Sequence, residues 1–178
     1  MLRDYRPSDA DALNEVALWA FLQFERYYSD WKAMRSVVAR MSELSSAAEI
    51  IVAEDAGRIV GGVAYVGMDK PKPPFFDPGW PVIRMLVVAP PARSKGLGRR
   101  LTEACILRAH RDRAPLIALH TTPVMEVALA MYLRLGFLPL REAPPVYGVP
   151  YSVYIKTLGE GVGVADTWCL STRSEEAE

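Results

Sequence analysis

Between Ala92 and Leu101 the chain reads ARSKGLGRRL, which puts two glycines and four cations into ten residues. Glycine lets backbone approach a ligand with no Cβ in the way. The apolar run VIRMLVVAPP precedes this stretch and a helical pattern follows it. The unpaired N–H groups of a helix start would therefore face the same loop. Glycines and helix start together suit phosphate oxygens, and Arg93, Lys95, Arg99 and Arg100 would add charge. The other reading is a strand-to-helix turn with a solvated cationic face. The spacing is neither the nucleotide loop G-x-x-x-x-G-K-[ST] nor the full G-x-G-x-x-G fingerprint.

The elements needed to hold such a loop follow from periodicity. The 178 residues suggest one domain. Leu2–Tyr5 reads as a short strand. A helix follows, with Ser8 as N-cap and Leu13, Val16, Ala17, Ala20, Phe21 and Phe24 on its apolar side. A second helix is expected from Asp30 to Leu44, with Trp31, Met34, Val37, Val38 and Met41 on one stripe. EIIVAED and IVGGVAYVGM read as strands, and the double glycine of the second points to a bulge or a close backbone approach. A Pro-rich loop, Asp69–Pro81, exposes Phe75, Phe76 and Trp80. VIRMLVV is the next strand. A helix from Gly98 to Arg111 buries Leu101, Ala104, Cys105 and Leu107 to Ala109. The strand APLIALHTT, a helix Val124–Leu135 stopped by Gly136, and a last strand in YGVPYSVYIKTL complete an α/β pattern. Residues 159–178 lose periodicity and end acidic, as a tail that Trp168 would dock.

Composition bounds the function. Lys plus Arg equals Asp plus Glu, against a nucleic-acid binder, which carries a basic excess. Cys105 and Cys169 are too few and too isolated for a disulfide framework or a zinc site. No apolar stretch is long enough to cross a membrane, and the N-terminus has no apolar signal core. No metal is expected, and a cytoplasmic setting is.

Two motifs together resemble the GCN5-related N-acetyltransferases (GNAT family). In VIRMLVVAPPARSKGLGRRLTEACILRAH, residues Val88, Pro90, Arg93, Gly96 and Gly98 follow the family's order. In ALAMYLRLGF, residues Ala128, Tyr132, Gly136 and Phe137 match its A-x-x-x-Y-x-x-x-G-F segment. The resemblance covers residues 1–158. It implies one GNAT-like domain: a central mixed, mostly antiparallel twisted sheet, helices on both sides, and parallel strands splayed at the cofactor cleft. It implies acetyl-CoA. Backbone of Leu86, Val87 and Val88 would face the acetyl-pantetheine arm. Arg93, Ser94, Lys95, Gly96, Leu97, Gly98 and Arg99 would wrap the pyrophosphate. Tyr132 would be the general acid for the leaving thiolate, or else a helix residue with an apolar body and a wet tip. Where many members carry Asn, seven residues before the tyrosine, this chain has Met125. Thr121, Thr122 or a backbone group would then have to compensate.

The base is less defined. The family often supplies a carboxylate on the central strand, and this strand carries Arg84. His120, ending LIALH, is the candidate base, against a surface or capping histidine. Glu25, Glu54 and water are weaker candidates, and His110 is simplest as a favourable charge at a helix C-terminus. The acceptor site would be framed by Trp19, Phe24, Tyr27, Tyr28 and Trp31 on one side and Tyr147, Tyr151 and Tyr154 on the other. The expected acceptor is a small-molecule amine or a peptide or protein amine. The Pro-rich loop is a lid, a contact in a homodimer, or purely structural. A coenzyme-A-binding module or an interaction protein of the same fold, without turnover, is the alternative to the enzyme.

Overall fold

Along β2 (Glu49–Asp55) the buried side chains alternate strictly: Ile50 and Val52 enter one core, Ile51 and Ala53 another. That alternation is the two-residue repeat of a strand with both faces covered. The computed structural model describes residues 1–159. The expected tail, with Trp168, lies outside the described residues beyond Gly159.

β1 (Leu2–Asp4), β2, β3 (Arg58–Val66), β4 (Val82–Val88), β5 (Leu116–Thr121), β6 (Leu138–Val146) and β7 (Val149–Thr157) form one sheet in the order β1-β2-β3-β4-β5-β7-β6. Every pairing is antiparallel except β4 with β5. α1 (Ala10–Phe21) and α2 (Trp31–Val38) cover one face, sharing a core with Ile50, Val52 and Val87. α3 (Leu97–Arg111) packs on the other face with Ile51, Val63 and Leu119, and Tyr132 of α4 (Glu126–Arg134) joins that core. This is the expected α/β architecture with a mostly antiparallel mixed sheet.

Two features of β3 and β4 shape the site. A Cβ on Gly61 would lie 2.9 Å from the Val87 carbonyl oxygen, and one on Gly62 would lie 2.6 Å from Leu13 Cδ1. The double glycine therefore lets β3 receive both β4 and α1, the close approach expected of it. Next to it, Gly62 pairs with Val87 but Ala64 pairs with Arg84, so β4 holds one extra residue there. Met85 takes φ 53 at that bulge. A bulge bends its strand. The β4–β5 pairing is confined to Val82–Ala118 and Ile83–Leu119, before the bulge. Beyond it the two strands part.

Several sequence expectations need correction. Asp9, not Ser8, organises the first helix: its carboxylate accepts the Arg6 N–H at 2.8 Å and a bidentate fork from Arg3 at 2.7 and 2.9 Å. The Arg3 guanidinium holds the Asp9 carboxyl below the usual range. The second helix ends at Val38, and Met41–Ser46 is a separate 3-10 turn. Phe24 lies in another, Leu22–Tyr27. Leu107 points outward, 68% exposed, and the buried side of α3 is Leu101, Thr102, Cys105 and Ala109. β6, with Pro139, Pro144 and Pro145, is a strand the sequence conceals. Proline lacks the N–H a central strand must donate, and β6 is the sheet edge, where that loss is tolerated.

The Pro-rich loop is fastened. Lys72 Nζ donates to the carbonyls of Gly67, Pro78 and Trp80 at 3.1, 2.8 and 2.7 Å. Arg141 reaches from β6 to the Phe75 carbonyl at 2.8 Å and lies over the Trp80 ring. Phe76 is buried, contrary to its expected exposure.

Candidate active site

A cleft of about 900 Å³ runs between the end of α1, β4, the start of α3 and α4. Leu86, Val87 and Val88 line it, as do Arg93, Ser94 and Gly96 to Arg99. Ser94 and Gly96 are both left-handed, at φ 63 and 72. Gly96 is the residue before α3 and gives no side-chain cap. No backbone N–H from Ser94 to Arg99 has a hydrogen-bond acceptor among the described residues. Successive N–H groups turned together make an anion-binding nest, and the helix dipole favours negative charge there. A Cβ at Gly96 would meet nothing within 4 Å, and one at Gly98 only ordinary contacts with Met131, Leu86 and Val88. The space over this loop is open to a ligand.

The cations of the loop divide. Arg93 turns its fork inward, donating to the carbonyls of Val88 at 3.3 Å and Ala20 at 3.1 Å and to the Gln23 amide oxygen Oε1 at 3.1 Å. It ties the loop to α1. Arg99 pairs with Glu103 at 2.8 Å on the helix surface. The side chains of Lys95 and Arg100 are exposed, pair with nothing among the described residues and do not line the cleft, so what the loop turns to the cleft is chiefly its backbone N–H groups.

Tyr132 owes its position to the end of α4. Gly136, at φ 86, follows the last helical turn. Its N–H donates to Leu133 at 3.0 Å, and the Phe137 N–H donates to the Tyr132 carbonyl at 3.0 Å. This is a Schellman motif, and the Tyr132–Phe137 ring contact, centroids 5.7 Å apart, is its usual hydrophobic partner. The Y-x-x-x-G-F spacing thus locks the tyrosine in place. Tyr132 is buried, and burial raises its phenol well above the ordinary range. The hydroxyl stays protonated at neutral pH and has no hydrogen-bond partner among the described residues.

Tyr132 faces a second cavity of about 350 Å³ that shares Phe21, Leu86, Met125 and Ala128 with the first. Its wall also holds Arg84, His120, Thr121, Tyr147 and Tyr151. His120 stacks on Phe75 and Phe76, centroids 5.2 and 5.8 Å away, and meets Tyr151 edge-on at 5.0 Å. Its Nδ1 is buried without a hydrogen-bond partner. Burial, and then the charge of Arg84, lower its pKa to about 4, so the imidazole is neutral.

A sequence model of the acetyltransferase (GNAT) family matches residues 11–137. The chain belongs to the acetyltransferase (GNAT) family. Acetyl-CoA is the cosubstrate of this family. Solved structures with the same fold include a histone acetyltransferase HPA2 and related acetyltransferase from Corynebacterium glutamicum, at 23% identity and TM-score 0.70, over 92% of this chain and 98% of that one. A GNAT acetyltransferase from Brucella melitensis in complex with acetyl-CoA matches at 21% identity and TM-score 0.62, over 92% and 90% of the two chains. A ribosomal-protein-alanine N-acetyltransferase from Brucella melitensis matches at 20% and 0.64, over 89% and 99%. No curated protein matches the sequence.

Within this GNAT chain the expected residues sort clearly. Met125 does stand at the start of α4, in the wall common to both cavities. Thr122 is spent locally, accepting the Val124 N–H, while the Thr121 hydroxyl is buried without a partner. Glu25 is exposed and lines neither cavity, and Glu54 accepts from Arg3 at 2.7 Å. His110 is exposed in the last turn of α3. Of the aromatic frame, Tyr147 and Tyr151 line the second cavity, and Phe24 and Tyr27 line the first. Tyr28 stands behind Tyr151, their hydroxyls 2.6 Å apart, with Trp31 against it. Trp19 is exposed, and Tyr154 joins the α3-side core. Phe21, Met34 and Phe76 also line the second cavity, although the sequence places Phe21 and Met34 only on helix stripes and Phe76 in a loop.

Proposed function

We propose that the protein is an N-acetyltransferase that moves an acetyl group from acetyl-CoA to a primary amine by direct attack, with both substrates bound together. The observation that carries this reading is the run of N–H groups from Ser94 to Arg99 with no protein acceptor, on a cleft that shares a wall with the Tyr132 cavity. Those groups suit the pyrophosphate of coenzyme A. The β5-facing edge of β4 past the bulge has no strand partner, so the amides of the pantetheine arm can pair with Leu86 to Val88 as a strand would. The thioester then lies at the wall shared by the two cavities.

In the reaction the amine nitrogen bonds to the acetyl carbon and the carbon–sulfur bond breaks. The departing thiolate takes the proton of the Tyr132 hydroxyl, and solvent later restores it. The amine gives up one proton to the His120 imidazole, directly or through water. An imidazole with a pKa of about 4 passes that proton on and does not hold it. The cavity lessens the demand on a base, because no carboxylate lines it to keep the amine charged, and desolvation lowers an ammonium pKa. The names of the similar structures include a histone acetyltransferase and a ribosomal-protein-alanine N-acetyltransferase, so peptide amines belong in the assay beside small ones.

The test is calorimetry with coenzyme A and thioester consumption over a panel of amines and peptides. Binding with acetyl transfer supports the enzyme. Binding without turnover on any acceptor would leave a coenzyme-A-binding module, and no binding would defeat the loop assignment.

A further inference from the structure

Arg84 is the one charged side chain in the wall of the second cavity. Among the described residues it is also the one partly buried arginine with no hydrogen bond and no ion pair. The comparison with its counterparts is direct. Arg3 holds Asp9 and Glu54, Arg108 holds Glu49, and Arg93 holds the carbonyls of Ala20 and Val88. The arginines without partners elsewhere, such as Arg58, Arg100 and Arg134, stand in solvent. Partial burial without a partner disfavours the charged guanidinium of Arg84, which stands beside the bulge, two residues before Leu86.

We infer that the acceptor carries a carboxylate that Arg84 binds, and that it is an amino carboxylate of amino-acid size with an apolar body. This rests on the acetyltransferase reading above. A cavity of about 350 Å³ falls in the size range of small-molecule sites. Phe21, Met34, Phe76, Tyr147 and Tyr151 give it apolar walls. The planar fork of one arginine matches one carboxylate. A phosphate would call for a second cation or a nest of backbone N–H groups, as at Ser94 to Arg99, and no other charged side chain lines this cavity. A lysine-rich peptide would meet Arg84 and no carboxylate.

The charge of Arg84 is near enough to His120 to lower its proton affinity. The other groups facing that ring are Phe75, Phe76 and Tyr151. A carboxylate seated on Arg84 offsets this influence, so His120 reports on occupancy without any turnover.

The experiment compares wild type with Arg84→Gln. The probes are phenylalanine and methionine, their amides, and phenethylamine. Turnover of acetyl-CoA is one readout, and NMR titration of the His120 ring, assigned with a His120→Phe variant, is the other. A hydrogen bond to a charged group is worth about 1.5–3 kcal/mol, which converts to roughly 10- to 150-fold. The free amino acids are expected to exceed their amides in kcat/KM by that factor in wild type. In Arg84→Gln that preference for acid over amide should vanish; it is read as a ratio because losing the charge near His120 alters the rate with either probe. The free amino acids should raise the His120 pKa in wild type and not in the variant. The Tm of Arg84→Gln should hold or rise, since the guanidinium has no partner to lose. Equal use of acid and amide, an unchanged His120 titration with every probe, or a fall in Tm that marks Arg84 as structural would each overturn the inference. Coenzyme A calorimetry on the same samples separates the two ideas. Failure to bind coenzyme A defeats the acetyltransferase reading, whereas binding with turnover indifferent to the carboxylate defeats only the role of Arg84.

Discussion

The loop from Ser94 to Arg99 offers a ligand its backbone, while the cavity beyond Tyr132 offers side chains. In the first, the glycines and the start of α3 leave N–H groups without acceptors, and Arg93 is turned away to hold α1. In the second, Arg84, His120 and Tyr132 carry unspent polar atoms inside aromatic walls. Backbone donors are indifferent to most substitutions, so they suit the part of a substrate that never varies. Side chains change with the sequence, so they suit the part that distinguishes one acceptor from another.

The strongest way to separate the two regions is at Tyr132. Tyr132→Phe removes only the hydroxyl and keeps the contact with Phe137. It should lower kcat by about 10²–10⁴-fold and leave coenzyme A affinity, read by calorimetry, unchanged. Wild-type turnover with acetyl transfer still rate-limiting would make Tyr132 a packing residue. A loss through KM alone would make it a binding contact.

The next effect is on stability and belongs to the side-chain half. His120 has a folded pKa of about 4, below the ordinary 6.5. The unfolded chain therefore binds the proton first as pH falls. The contribution is complete above about pH 6.5, drains by up to about 1.4 kcal/mol per pH unit, and is gone near pH 4, about 3 kcal/mol in all. Denaturant unfolding of wild type and His120→Phe at about pH 7.5, above the window, and at about pH 4.5, near its lower end, measures most of it. The wild type should lose more than the variant, and parallel losses would show that His120 does not titrate in that window.

The backbone half is probed at glycine. Gly98→Val should weaken coenzyme A binding by roughly 10- to 100-fold, the scale of one or two charge-assisted hydrogen bonds, in protein that still folds. Gly96 is the poorer probe, because its φ of 72 would strain any β-branched residue whether or not a ligand binds there. Unchanged affinity in folded Gly98→Val would remove the pyrophosphate from this loop. The smallest effect is expected at Arg99. Its exposed pair with Glu103 contributes about 0.3–0.5 kcal/mol, so Arg99→Ala should barely move the unfolding midpoint. A large drop would mean that charge, and not backbone, holds the loop.

Much of the donor half is legible along the chain because local rules set it. The Gly-x-Gly turn, the helix start behind it and the Schellman spacing from Tyr132 to Phe137 each span a few residues, so type and order suffice. The same holds for the alternation in β2 and for the double glycine of β3. The edge strand β6 escapes, since its prolines read as loop and only its place at the end of the sheet makes them tolerable.

The family, the sheet-and-helix plan and the glycine-rich turn before α3 were all carried by the residues in order along the chain. The tertiary structure decided what no spacing contains: that Arg93 faces inward, that Phe76 is carried under the Lys72-fastened loop to His120, and that Arg84 stands in a cavity without a carboxylate. The physical reason is range. Helix starts, caps and strand alternation depend on neighbours a few residues away. The charge state of His120 and the isolation of Arg84 depend on groups brought together from β4, β5, β7, α4 and the Pro-rich loop, and only packing fixes their distances.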